Sequence, residues 1–366
     1  MSRPEHAPDD GAGPAPAPVA DPAELLDLSL GHLYAGAIRA VARHRVADLL
    51  AELGPSTAAE LARAAGLDAA HLRGVLRLLA TRGVFAEEEP SGSSGGPEPR
   101  FRLTPAAELL REDVPHSQRT LSVMLTDEMF ERLSARLDES VRTPGPSFAE
   151  VFGVEFFPYL MANPEKGELF DLGMTSFAAP VDEAVAELFP WPERGTVVDV
   201  GGGRGGLLRA VLRRHAGLTG VLFDRPDAVG RHLLGDEPEL EGRWRAESGD
   251  FFDGVPGGGD VYVLKHVLHD WPDEDCLRIL RACRAAAPED ARLLVVDSVI
   301  PPGNAPHPAK SLDVLMAALL EGRERTREEF AALLAPAGFR LRHVHDTGLF
   351  ASAVEAVAAR VPPADA

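Results

Sequence analysis

The chain is poor in the features that mark several protein classes. It has two cysteines, Cys276 and Cys283, in 366 residues. They lie seven apart on one expected helix, a spacing that suits buried thiols on one face. A disulfide or a zinc site would need other geometry or more ligands. No apolar run approaches the roughly 20 residues needed to span a bilayer. The N-terminus lacks a basic stretch followed by an apolar core, so no signal peptide and no membrane partner is expected. Positive charge is scarce: 37 Lys and Arg face 57 Asp and Glu, a net charge of −20. No basic run offsets this locally, which argues against a nucleic-acid partner, because that binding depends on neutralising phosphates. The expectation is a soluble, cytoplasmic protein. Its length and its 45 % hydrophobic content allow two cores.

Four regions follow from the pattern along the chain. Residues 1–20, rich in Pro, Ala, Gly and Asp, are expected to form a disordered tail. Residues 21–115 read as a winged-helix-like domain. Apolar residues recur at helical spacing from Leu25 to Leu50, Thr57 and Glu60 form a capping-box pattern, and a helix runs from Leu67 to Arg82. Two short strands follow, at Val84-Phe85 and Phe101–Leu103. This region holds ten Arg and no Lys against fourteen Asp or Glu, a net of −4. That charge suits packing and dimerisation better than DNA reading. Residues 116–190 read as a helical linker and acceptor-binding region. From residue 191 to 360 the rhythm becomes strand–helix alternation. Strands are expected at 196–200, 219–224, near 243–247, and at 261–265, 291–298 and 339–345, with helices near 205–215, 273–287 and 326–336. Such alternation predicts a doubly wound α/β sheet.

Two stretches carry chemistry. The first is Asp199-Val200-Gly201-Gly202-Gly203-Arg204-Gly205, between an apolar strand and a helix. Glycines there permit positive φ and close approach of a ligand, and the helix N-terminus can receive a negative group. Gly201, Gly203 and Gly206 satisfy G-x-G-x-x-G, so a nicotinamide dinucleotide, and with it an NAD-dependent oxidoreductase, stays open at this point. The next strand ends in Asp224, placed to bond ribose hydroxyls. Asp250-Phe251-Phe252 could hold an adenine, the acid on its amine and a ring on its face, although both rings could equally be core.

The second is Lys265-His266-Val267-Leu268-His269-Asp270-Trp271, just past a later strand. His269 is the candidate base. His266 is the nearer rival, and more plausibly packs or touches a cofactor. Asp297 ends another strand and opens on the same sheet edge, while Glu324 follows Gly322-Arg323. A carboxylate on the far ring nitrogen would fix the tautomer of such a base. Candidate walls of an acceptor site are Phe156, Phe157, Met161, Phe170, Met174 and Phe177, faced by Asp313, Met316 and Leu320. The glycine-free run Ser311 to Leu320 reads as a helix closing over them, ended by Gly322.

Gly201–Gly205, Asp224, Asp250-Phe251, Lys265…His269-Asp270-Trp271 and Gly322-Arg323-Glu324-Arg325-Thr326 fall in one order. In that order and spacing the chain resembles the S-adenosylmethionine-dependent O-methyltransferases of the caffeate, hydroxyindole and bacterial aromatic-polyketide group, over roughly residues 25–355. The resemblance implies a class I methyltransferase Rossmann-like sheet behind an N-terminal, mostly helical dimerisation domain. It also implies a homodimer built through the N-terminal helices. By matching position, Gly201, Gly203, Asp224, Asp250, Phe251, Phe252 and Lys265 would hold S-adenosylmethionine, with S-adenosylhomocysteine as product and no metal. His269 would be the base, flanked by Asp297 and Glu324. The implied activity is methylation of a phenolic hydroxyl of a small aromatic secondary metabolite, with antibiotic biosynthesis as the setting. Plant members usually carry Glu where Asp297 stands, so the shorter Asp leaves open which carboxylate orients the base. Some bacterial relatives lack the histidine and do non-methylating chemistry on the same scaffold; this chain keeps it.

Overall fold

The computed structural model describes residues 21–88 and 98–359. The expected tail 1–20 and most of the loop between the two wing strands lie outside the described residues. The N-terminal part is helical, with a small sheet of β1 (Ser56–Thr57), β2 (Phe85–Glu88) and β3 (Arg100–Leu103) in the order β1-β3-β2. The Thr57–Glu60 capping box forms: Thr57 Oγ1 accepts from Glu60 N, and Glu60 Oε2 accepts from Thr57 N. Strand β1 was absent from the sequence expectation, since two residues give no period.

The C-terminal part holds β4 (Gly195–Val200), β5 (Leu218–Asp224), β6 (Trp244–Ser248), β7 (Val261–Lys265) and β8 (Arg292–Asp297). After them come β9 (Val299–Ile300), β10 (Arg325–Thr326), β11 (Phe339–Asp346) and β12 (Ser352–Ala358). Seven of these make one sheet in the order β11-β12-β8-β7-β4-β5-β6. Strands β8 to β6 are parallel, while β12 is antiparallel to both its neighbours. The parallel strands are near-continuous apolar runs because helices cover both faces. One core, including Val198, Leu264 and Ile279, lies on one face. The other, including Val197, Leu208 and Leu294, lies opposite. Strand β12 was also not expected: its Ser-Ala-Val-Glu-Ala-Val-Ala sequence is rich in alanine, a weak strand former.

Strand order reverses at β4 and β7, and a crevice opens there at their C-terminal ends. Two helical elements cover that crevice. One is the 25-residue helix Pro164–Leu188, which continues from the middle region into the packing of the sheet domain. The other is the helix Pro308–Leu319, begun by Pro308 in its first turn with His307 as its cap. It starts three residues before the expected Ser311.

Candidate active site

The glycine loop leaves β4 with Gly201, Gly203 and Gly205 at φ +68°, +57° and +77°. A side chain at Gly201 would also meet Val267 Cγ2 at 2.8 Å, so glycine holds the loop against the next turn. Asp224, at the end of β5, braces this loop. Its Oδ2 accepts from Gly203 N at 2.7 Å and its Oδ1 from Arg225 N at 2.6 Å. Asp250 Oδ1 accepts from Phe252 N at 2.8 Å, which fixes the turn bearing the two rings. Phe251 and Phe252 pack edge to face, and Trp271 packs edge-on against both. Gly201, Asp224, Asp250, Phe251, Phe252 and Trp271 line one cleft of about 330 Å³.

A second cleft, about 270 Å³, continues past the glycines to Lys265 and Asp182. Lys265 Nζ donates to Asp182 Oδ1 at 2.6 Å, and both side chains are nearly buried. Burial raises the pKa of Asp182, and the ammonium of Lys265 opposes that. Asp199, in β4, is buried with both carboxylate oxygens lacking a partner. Burial pushes its pKa up to about 7, against the pull of Lys265. Asp182 had no signal in the sequence; a helix 83 residues upstream delivers it.

Beyond β7 the chain turns sharply. His266 takes a left-handed φ of +53°, and a 3-10 turn carries Leu268–Asp270. A non-glycine residue in that region costs about 1 kcal/mol or more. The strain sets the His266 and His269 rings nearly parallel, 5.4 Å apart. His269 Nδ1 bonds Glu324 Oε1 at 3.0 Å, while its Nε2 lies 3.4 Å from Asp270 Oδ1. Burial alone would depress the basicity of His269. The charges of Asp297 and Asp270 and the contact with Glu324 outweigh it and push its pKa up to about 10.

Asp297 does not take the orienting place beside His269 that its strand-end position suggested. It is fully buried, neither oxygen has a hydrogen-bond partner, and its nearest histidine nitrogen is Nδ1 of His266 at 3.8 Å. Its influence on His269 is through charge. Burial pushes its own pKa up to about 7. Both nitrogens of His266 are buried without partners, and burial holds its pKa well below the usual range.

Two features of the 322–325 segment hold this arrangement. A Cβ on Gly322 would come within 1.9 Å of the His269 carbonyl oxygen, so only glycine allows the approach. Arg325 is buried and donates to the carbonyls of Leu268 and Trp271 and to Asp273. The segment that supplies Glu324 therefore also pins the turn that supplies His269. From sequence, Gly322 was expected only to end the preceding helix, and Arg325 carried no assigned task.

A third cavity, of about 280 Å³ and the candidate acceptor site, meets the two clefts at His266 and Asp270. Phe157, Phe170, Met174, Phe177, Met316 and Leu320 line it, with His269 and Glu324 at its polar end. Two expected wall residues lie elsewhere. Met161 is 85 % exposed, on the rim of the outer cleft, because it sits on the solvent side of its short helix. Asp313 is outside the cavity lining: its Oδ1 accepts from Glu324 N at 3.1 Å, so it braces the backbone of Glu324. Leu121, Met124 and Phe130 join the wall unforeseen, brought in by helices that the sequence left irregular.

Comparison with known proteins agrees with this geometry. The O-methyltransferase domain model matches residues 134–340, and the O-methyltransferase dimerisation domain model matches 26–113. The chain is 38 % identical to the phenazine O-methyltransferase PhzM of Lysobacter antibioticus, over 91 % of this chain and 95 % of that protein. It is 39 % identical to the O-demethylpuromycin-O-methyltransferase of Streptomyces alboniger, over 91 % and 93 %. Its fold matches the SAH-bound form of CalO1, a methyltransferase in calicheamicin biosynthesis. There the TM-score is 0.84 and the identity 43 %, over 92 % of this chain and 98 % of that one. The clefts fit S-adenosylmethionine: glycines at positive φ, with no room for a Cβ at Gly201, a carboxylate at a strand end, an aromatic turn, and an orphaned buried acid beside Lys265. The chain thus belongs to the O-methyltransferase family and is an S-adenosylmethionine-dependent O-methyltransferase with a class I methyltransferase sheet.

Proposed function

We propose that the enzyme methylates a phenolic hydroxyl of a small aromatic natural product, with His269 as general base. One observation carries the reading. The His269 imidazole lines the acceptor cavity beside His266 and Asp270, through which that cavity meets the cofactor clefts, with its Nδ1 tied to Glu324 and its Nε2 3.4 Å from Asp270. When bound, the cofactor supplies a methyl group already activated on a sulfonium sulfur. This chain's own residues have two tasks, to aim the acceptor oxygen and to receive its proton. Nε2 takes that proton as the oxygen attacks, and the Glu324 carboxylate stabilises the imidazolium through Nδ1. A phenol titrates near 10, and the carboxylates around His269 bring the imidazole to about 10 as well. The raised pKa makes the neutral ring a strong proton acceptor, and that neutral form grows as pH rises towards about 10.

Asp224 would bond the ribose, Asp250 and Phe251 or Phe252 the adenine, and Lys265 with Gly201 and Gly203 the amino-acid end. Phe157, Met174, Phe177 and Met316 would sandwich the acceptor ring. The aromatic acceptor class is supported by the named reactions of the phenazine and puromycin relatives. Homodimerisation through the N-terminal helices is supported by the dimerisation-domain match and by the exposed Leu25, Leu26, Leu28 and Leu33. The test is a mass-spectrometric screen of phenols with S-adenosylmethionine. The expected result is a gain of about 14 daltons on a phenolic oxygen, formed about 10²–10⁴-fold more slowly by His269→Ala. Equal turnover by that variant would overturn the role of His269.

A further inference from the structure

The acceptor cavity is electrically one-sided. Nineteen residues line it, and fourteen of them are Leu, Met or Phe. The polar five, His266, His269, Asp270, Ser298 and Glu324, belong to the reactive end. None of the described lining residues is Lys or Arg. The basic side chains on the wall-forming segments and beside them are already engaged. Lys166 and Arg39 pair with Asp127. Arg119 donates to the carbonyl of Ala42. Lys310 is spent on the carbonyls of Gly303 and Ala305. Arg323 bonds Glu329 and Asp273. The acidic side is well supplied, with Asp270 and Glu324 on the wall and Asp297 buried behind them.

A ligand anion in this cavity would lose its water and find no Lys, no Arg and no cluster of N–H donors in return, and the His269 ring on the wall is already held between Asp270 and Glu324. The anion would also face up to three carboxylates. We propose, resting on the function proposed above, that the acceptor carries no ionised acid: it is an uncharged, largely apolar aromatic phenol, and carboxylated, sulfonated or phosphorylated aromatics are rejected. Discrimination comes from the desolvation of an unpaired charge rather than from a steric stop. A site of this kind tolerates wide variation in apolar substituents, since a methylene changes binding by only about 10-fold or somewhat more.

Charge can be separated from size with two acceptors of one shape, 6-hydroxy-2-naphthamide and 6-hydroxy-2-naphthoate. Their affinities are measured calorimetrically on the full-length dimer-competent protein saturated with S-adenosylhomocysteine, which requires no turnover. Methyl transfer to each is then followed by mass spectrometry. The expected result is tighter binding of the amide by about 100-fold, with kcat/KM changing in parallel. A preference below about tenfold, or any preference for the carboxylate, overturns the proposal. So does failure of both to bind, since the cavity would then not accept a flat apolar aromatic. If the amide binds preferentially and no methyl group reaches its oxygen, the proposed reaction fails on this acceptor while the charge rule stands.

Discussion

The two halves of the catalytic cleft are built by different means. The cofactor half comes from turns that follow β4, β5, β6 and β7, and its groups bond within a turn or to the adjacent turn, with Lys265 reaching the distant Asp182 as the exception. Asp224 serves Gly203 and Arg225, and Asp250 serves Phe252. The acceptor half is assembled from helices between Leu121 and Phe177 and from the helix Pro308–Leu319, joined mainly by apolar packing, with Ser147 donating to the Ala318 carbonyl and Lys166 paired with Asp127. Function-bearing geometry in the first half is written in short runs of sequence. In the second it depends on how distant elements meet, so what it can accommodate depends on shape and on a described lining without Lys or Arg.

Substitutions can break that comparison at its joint. His269→Ala removes the proposed base, at the polar end of the acceptor cavity. It is expected to cut turnover by about 10²–10⁴ while leaving cofactor affinity near normal in calorimetry. Lost cofactor binding with turnover retained would overturn the division of labour. On the cofactor side, Asp224→Ala is expected to weaken S-adenosylmethionine binding by about 10–100-fold. Acceptor affinity, measured at saturating cofactor, should not change.

Glu324→Gln tests the positioning of the base. The carboxylates raise the pKa of His269 to about 10, so the neutral, proton-accepting form of the free enzyme grows as pH rises towards that value. The log of kcat/KM should therefore climb with pH on an alkaline limb. Removing the Glu324 charge lowers the pKa of the imidazole and moves that limb to lower pH, with kcat falling by about tenfold at the plateau. A limb that stays in place would assign it to another group. The smallest effects belong to the acceptor wall. Phe177→Ala, which removes a ring stacked on Phe350 at 3.7 Å, should raise the acceptor KM by about tenfold with little change in kcat. Met161→Ala, on the exposed rim, should change neither.

Much of the fold could be read from the chain. Parallel strands buried on both faces read as apolar runs, so β4, β5, β7 and β8 fall within a residue or two of expectation. Strand β12 escaped because alanine packs well in a sheet interior without advertising it. Of the site, the glycine loop and the turn carrying His269 were legible, since glycines at positive φ and an imidazole at a strand end are local facts. The orienting carboxylate was not, because Asp297 and Glu324 both end up near the histidines and only side-chain direction separates them.

The sequence by itself determined the α/β class, the glycine cradle and the identity of the candidate base, because each is settled by contacts within one strand–turn–helix unit. Tertiary structure alone decided that Glu324, 55 residues away, takes Nδ1 of His269, and that Asp182, 83 residues away, takes Lys265. It alone decided that Met161 faces solvent while Met124 lines the acceptor cavity. A pair so far apart in the chain is joined by the packing of whole helices onto the sheet, and no local run of residues encodes the final approach.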